Sequence, residues 1–168
     1  YTPAKRILFL VDRNNLGKQA EGEFGSFRLT YNGEPFNTIY ETERLKSKEI
    51  AKSTSVVIST IQRLFAYLTG QDIMDDDDSE DENADGDEVA LPAEDLKLSP
   101  DFFDVIIVDE CHRSIYGRWK KVLDYFTSAR LIGLTATPDP STTLPFFNNN
   151  RVVNYTLEKS IADGINVD

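Results

Sequence analysis

Apolar residues fall along this chain in short runs and in helical stripes, and the two kinds alternate. Ile7, Leu8, Phe9, Leu10 and Val11 are continuously apolar, as are Val56-Val57-Ile58 and Val105-Ile106-Ile107-Val108. Short β-branched runs, apolar on both faces, predict strands buried in a parallel sheet. They place strands over 6–11, 55–59 and 102–108, and a further one over 130–135. Between them the period changes. Ile61, Leu64, Phe65 and Leu68 share one face of a helix predicted over 60–68. Tyr116, Trp119, Val122, Leu123 and Phe126 recur at the same spacing and read as core rather than as a base-stacking platform. A helix over 16–24 follows the first strand, with Asn14 or Asn15 as its cap. The remaining signals are weaker. An alternating stretch covers 27–31, a turn falls at Asn32-Gly33-Glu34-Pro35, and sparse apolar residues predict a surface helix over 39–52. The segment 140–150 reads as a loop and 151–155 as a last short strand. Strands alternating with helices predict an α/β fold on a mainly parallel sheet with right-handed crossovers.

Composition narrows the class. A chain of 168 residues with 40% hydrophobic content predicts one soluble domain with a real core. No apolar run approaches membrane-spanning length and the start is not a signal peptide, so a membrane role is not expected. The single cysteine excludes an internal disulfide and suits the cytoplasm. Cys111 beside the single histidine, His112, cannot make a structural zinc site. Catalytic Cys-His pairs are normally assembled from distant positions rather than neighbours.

The net charge of −11 looks wrong for a protein that binds DNA. It is unevenly spread. Residues 72–88 hold eleven acidic side chains and no basic one; without them 18 acidic residues face 18 basic ones. A neutral lobe can still follow a phosphate backbone through local Lys, Arg and main-chain donors. The acidic, aromatic-free stretch at about 70–98 predicts a flexible insertion within a domain spanning 1–168. An acidic arm that mimics DNA or holds a basic partner is the functional alternative.

Four residues carry the strongest chemical signal. Asp109-Glu110-Cys111-His112 follow the strand that ends at Val108. Adjacent carboxylates at the carboxyl end of a parallel strand lie where open α/β sheets bind their ligands. One can hold a magnesium ion through water, and the next can orient or deprotonate an attacking water. Alone, an Asp-Glu pair reads better as a solvated pair opening a loop. The apolar run before it and Leu134-Thr135-Ala136-Thr137-Pro138 after it favour chemistry.

These residues resemble the superfamily 2 helicases and translocases. Asp109 to His112 match their Walker B motif in its DECH form, and Thr135-Ala136-Thr137 match motif III. The stretch from Phe9 through Asp12, Arg13 and Gly17-Lys18 to Ala20 looks like motif Ia, and Val56 to Leu64 looks like the next nucleic-acid-contacting motif, with its Thr-x-Gln core. The phrases VDRNNL, DECHRSIYGRW, LIGLTATP and EKSIADGINVD look closest to the R subunit of type I restriction enzymes. The resemblance implies a three-layer RecA-like, P-loop NTPase-like lobe that uses ATP and Mg2+. By matched motifs, Asp109 is the magnesium-associated carboxylate and Glu110 the catalytic base, both at the nucleotide. His112 couples them to motif III through Thr135 or Thr137. Arg13, Thr60 and Gln62 are carried over as DNA backbone contacts; the alternative for Thr60 is that it merely caps the helix that follows.

The Walker A loop of that family is missing. Gly17-Lys18 is followed by Gln19, and Asp12 stands where the loop needs its first glycine. The expectation is a fragment of a larger protein, inactive alone, whose parent pulls double-stranded DNA and cleaves it with a separate nuclease domain. Its partners would be modification and specificity subunits. Another superfamily 2 helicase, or a non-catalytic binding lobe that lost the loop, are the alternatives.

Overall fold

A computed structural model of the chain describes residues 3–46, 49–71, 91, 96–113 and 115–165. Three of the apolar runs form the middle of a five-stranded sheet: β1 (Ile7–Val11), β3 (Val56–Thr60) and β4 (Val105–Val108). β2 (Thr42–Arg44) and β5 (Arg130–Gly133) lie at its edges. The order is β2-β3-β1-β4-β5, and every neighbouring pair is parallel. Parallel pairing requires each connection to cross over a face of the sheet, and the helices fill those crossovers. The α/β, RecA-like architecture expected from the sequence is therefore the one observed.

Strand alternation sends Leu8, Leu10, Val57, Ile106 and Val108 to one face. There they pack with Leu64, Phe65 and Leu68 of α3 (Ile61–Thr69) and Trp119, Val122 and Leu123 of α4 (Gly117–Tyr125). Phe103 and Phe126 close this core edge to face, with ring centres 5.2 Å apart. The other face meets α1 (Asn14–Ser26), whose Gly17 sits against Val11, Ile58 and Arg44. Two helix caps follow local chemistry. The Thr60 hydroxyl accepts from the Arg63 N–H, and Gly70 ends α3 at φ +74, a left-handed value that glycine adopts without strain.

Several weaker expectations fail. Neither Asn14 nor Asn15 caps α1: both are helical, and Arg13 occupies the cap without a side-chain hydrogen bond. The surface helix expected over 39–52 is instead the short α2 (Phe36–Ile39) followed by β2. Thr42-Glu43-Arg44 reads as non-strand because an edge strand needs few apolar residues. Its charges are held by tertiary partners, Glu43 by the Thr54 hydroxyl and Arg44 by Glu21 at 3.6 Å. The stretch 151–155 is not a strand. Val152 and Val153 are 83% and 78% exposed and meet no sheet edge, and β propensity without a ladder partner fixes nothing. The expected loop at 140–150 contains α5 (Thr143–Phe146), and α6 (Leu157–Ala162) closes the described chain. Most of the predicted acidic insertion lies outside the described residues. Its far end does not behave as an excursion: Leu98 is buried in the core and its carbonyl accepts from the Tyr125 hydroxyl at 2.6 Å. No helix among the described residues is long and apolar enough to cross a membrane.

Candidate functional site

Because all five strands run the same way, their carboxyl ends share one edge of the sheet. β1 delivers Asp12 and Arg13 there, β3 delivers Thr60, β4 delivers Asp109 and Glu110, and β5 leads to Thr135. The ladder continues past the strands and fixes the site. Asp109 N–H donates to the Leu10 carbonyl at 2.8 Å, and Cys111 N–H donates to the Leu134 carbonyl at 3.0 Å. Between these anchors Glu110 adopts φ +46, a left-handed conformation uncommon for a side chain of this size. Its N–H turns back to Asp109 Oδ1 at 3.1 Å, and its carbonyl accepts from Arg113 N–H at 3.0 Å, closing a 3-10 turn at Cys111–Arg113.

His112 stands between two parts of this edge. Its Nδ1 lies 2.9 Å from Thr135 Oγ1 and 3.4 Å from Glu110 Oε2. Either Nδ1–H donates to these oxygens, or Thr135 donates to Nδ1; the tautomer decides. Thr135 Oγ1 also accepts from the Thr137 N–H at 3.1 Å. Of the two threonines expected to meet His112, the hydroxyl contact falls to Thr135. Thr137 joins through its backbone, and the exposed Ala136 spaces them.

Cys111 is packing, not chemistry. It is 1% exposed, and burial, with the nearby Glu110 and Asp109 charges, pushes its thiol up and keeps it protonated. A Cβ added to Gly133 would lie 2.8 Å from its Sγ and 2.5 Å from the Phe147 ring. Glycine at the end of β5 is what lets the turn holding His112 close on the sheet.

The three residues carried over as DNA contacts are less uniform. Arg13 is exposed at the start of α1, with Nε 3.5 Å from Asp12 Oδ2. Thr60 is 6% exposed and its hydroxyl is engaged in the α3 cap, so the observed bond is that of a capping residue. Gln62, half-buried, sits on the first turn of α3. Sequence reasoning missed one feature outright. The Arg113 guanidinium reaches Asp12 Oδ2 at 2.7 Å, joining the loops after β1 and β4 across 101 positions of chain. No local pattern could have signalled that pair.

A cavity of about 870 Å3 opens beside α1, lined by Phe9, Val11, Leu16 and Phe24 among others, with Asp109 at its margin. Asp109 Oδ1 is engaged by the Glu110 N–H, and among the described residues no hydrogen bond occupies Oδ2. A half-buried carboxylate of this kind, next to a second one, fits a magnesium ion held largely by water and phosphate oxygens.

An all-parallel α/β sheet carrying paired carboxylates and a His–Thr link at its carboxyl edge is a RecA-like lobe of helicase type. The chain belongs to the family described as type III restriction enzyme, res subunit, whose sequence model matches residues 1–140. It is also similar to curated type I restriction endonuclease subunits. The EcoAI subunit of Escherichia coli is 32% identical over 95% of the chain and 16% of its own length. The EcoKI subunit of Escherichia coli strain K12 is 30% identical over 98% of the chain and 13% of its own. The SauCOLORF180P subunit of Staphylococcus aureus strain COL is 28% identical over 95% and 15%. The chain thus spans less than a fifth of the length of each of these three relatives.

Proposed function

We propose that this chain is part of the ATP-driven motor of a type I restriction enzyme R subunit, which couples ATP hydrolysis to movement along double-stranded DNA. The observation that carries the reading is the contact of His112 Nδ1 with both Glu110 and Thr135. It ties a carboxylate suited to activating water to the segment after β5, so a change at one is felt at the other. Asp109 would hold the magnesium ion through water. Bound there, the ion would offset the charge that develops on the phosphoryl oxygens. Glu110 orients and deprotonates the attacking water, and His112 fixes the Glu110 carboxylate and reports its position to Thr135. Arg13 and Gln62 lie on the edge that would track the DNA backbone, where contacts to phosphate position the duplex without reading its sequence.

The phosphates need a further element. β5 is an edge strand, and its Ile132, beside Ile107 in register, is 47% exposed on the face away from α3 and α4. That apolar face and an edge unpaired among the described residues suit the strand, glycine-rich loop and helix that superfamily 2 motors place before motif Ia. The full protein would supply them, together with a nuclease domain, in a cytoplasmic complex with modification and specificity subunits. The 168-residue chain alone would not hydrolyse ATP.

The test uses the full-length protein. DNA should stimulate its ATP hydrolysis, and Glu110→Gln should abolish turnover while ATP still binds. A wild-type protein without DNA-stimulated hydrolysis, or a Glu110→Gln variant that loses nucleotide binding as severely as turnover, would overturn the reading.

A further inference from the structure

One carboxylate oxygen on the site's edge serves two guanidinium groups. Asp12 Oδ2 is 2.7 Å from Arg113 Nη1 and 3.5 Å from Arg13 Nε. Asp12 is mostly buried, whereas both arginine side chains are nearly half exposed. The two contacts are unequal in length, but they draw on the same negative charge. Arg113 belongs to the turn that carries Glu110 and His112, and its N–H closes that turn on the Glu110 carbonyl. Arg13 opens α1 on the neighbouring strand. Glu110 itself sits at φ +46, a conformation that persists only where surrounding contacts hold it. The Arg113–Asp12 bond is one such contact, and it reaches the turn from another loop.

We propose that Asp12 and Arg113 are positioning residues that couple DNA occupancy to Glu110. A DNA phosphate near Arg13 competes with Asp12 for that guanidinium. As Arg13 turns to the phosphate, Asp12 is left to Arg113 alone, and the tighter pair holds the turn in the arrangement that sets Glu110 against His112. Without DNA the carboxylate is shared and the turn is held less firmly. The inference rests on the motor reading above and adds the route by which the DNA edge would act on the carboxylate. Neither residue touches substrate; each acts through Glu110.

The test compares basal and DNA-stimulated phosphate release by the full-length protein, with melting temperature measured on the same preparations. The variants are Arg113→Ala, Asp12→Ala, the double variant, and Arg113→Lys. Each single alanine variant should keep the KM for ATP and lose far more of the DNA-stimulated kcat, about fivefold or more, than of the basal turnover. The double variant should be no worse than either single one, since the pair acts as a unit. Arg113→Lys should restore part of the stimulation, because an ammonium can still pair with Asp12. Asp12→Asn, which keeps the shape and removes the charge, covers the case in which an alanine variant does not fold, and it should lose stimulation likewise. Undiminished stimulation in the single variants overturns the proposal. So does a parallel fall of basal and stimulated rates with a lower melting temperature, which would make the pair a structural staple. If the wild-type protein is itself not stimulated by DNA, the motor reading fails and the coupling falls with it.

Discussion

Gly133→Ala perturbs the point where β5 meets the turn after β4. The added Cβ would stand 2.5 and 2.7 Å from two Phe147 ring carbons and 2.8 Å from Cys111 Sγ, all closer than real Cβ contacts. Phe147 can give by rotating its half-buried ring, but Cys111 is buried and its backbone is pinned by the bond to Leu134. Forcing one methyl group into such a site costs about 1–3 kcal/mol. Gly133 does not have a positive φ, so alanine also removes unfolded-chain freedom, which returns about 0.4–1 kcal/mol. The net destabilisation is about 1–2 kcal/mol, a fall of roughly 3–6 °C in melting temperature for a domain of this size. Thermal unfolding followed by circular dichroism reads it directly. Adding Phe147→Leu, which shortens the clashing ring, should recover part of the loss, so the two changes together should cost less than their sum. A melting temperature for Gly133→Ala within about 1 °C of wild type would refute the close-packing argument. So would strict additivity with Phe147→Leu.

Two further outcomes are expected. Thr60→Ala should cost about 1 kcal/mol, the worth of a lost cap, and roughly 2–4 °C in melting temperature. In the full-length protein it should leave DNA-stimulated hydrolysis intact once folded, and a loss of stimulation at unchanged stability would make Thr60 a DNA contact instead. Asp104→Asn should destabilise the lobe near neutral pH. The Arg6 and Lys5 N–H groups, each 2.8 Å from Asp104 Oδ2, hold its carboxyl below the usual carboxylate range. A depressed folded-state value means stability that is present above the unfolded value of about 4 and lost as pH falls through the folded one. The gap between wild type and Asp104→Asn, about 1 kcal/mol after allowing for solvent exposure, should therefore be open at pH 6 and close below about pH 4. A gap independent of pH over that range would assign the loss to something other than the carboxylate charge.

Elements that bury continuous apolar runs were legible in the sequence, and elements defined by a partner were not. The strands β1, β3 and β4 carry their own signal because both faces of each must be covered. β2 carries none, since its three residues become a strand only through pairing with Val56 to Ile58. The reverse error at 151–155 has the same origin. Two valines suggest a strand, yet the sheet ends at β2 and β5 among the described residues, and nothing offers them a ladder. The cap of α1 failed for a related reason. Asn14 and Asn15 are good capping residues by type, but the helix begins at Asn14, with only Asp12 and Arg13 between it and the end of β1, so Arg13 takes the cap and both asparagines fall inside the first turn.

The site divides along the same line. Asp109, Glu110 and His112 fall within four consecutive residues, so their identity and their place at a strand end can be read locally, and the strand-turn geometry brings His112 to Thr135. What the motif does not contain is whatever holds it in place. Arg113 finds Asp12 across 101 positions, and Gly133 makes room for Cys111 across the β4–β5 pair. Each of these is a single residue whose type is common and whose meaning comes from one distant neighbour. One face of β5 is only partly covered among the described residues. Ile132 in β5 and Leu134 just after it, 47% and 46% exposed, flank Gly133, while Leu131 packs on the core from the opposite face. An apolar strand edge left open invites pairing and aggregation. Among the described residues β5 pairs only with β4, so its outer edge is a place on this sheet where a further strand would be accommodated.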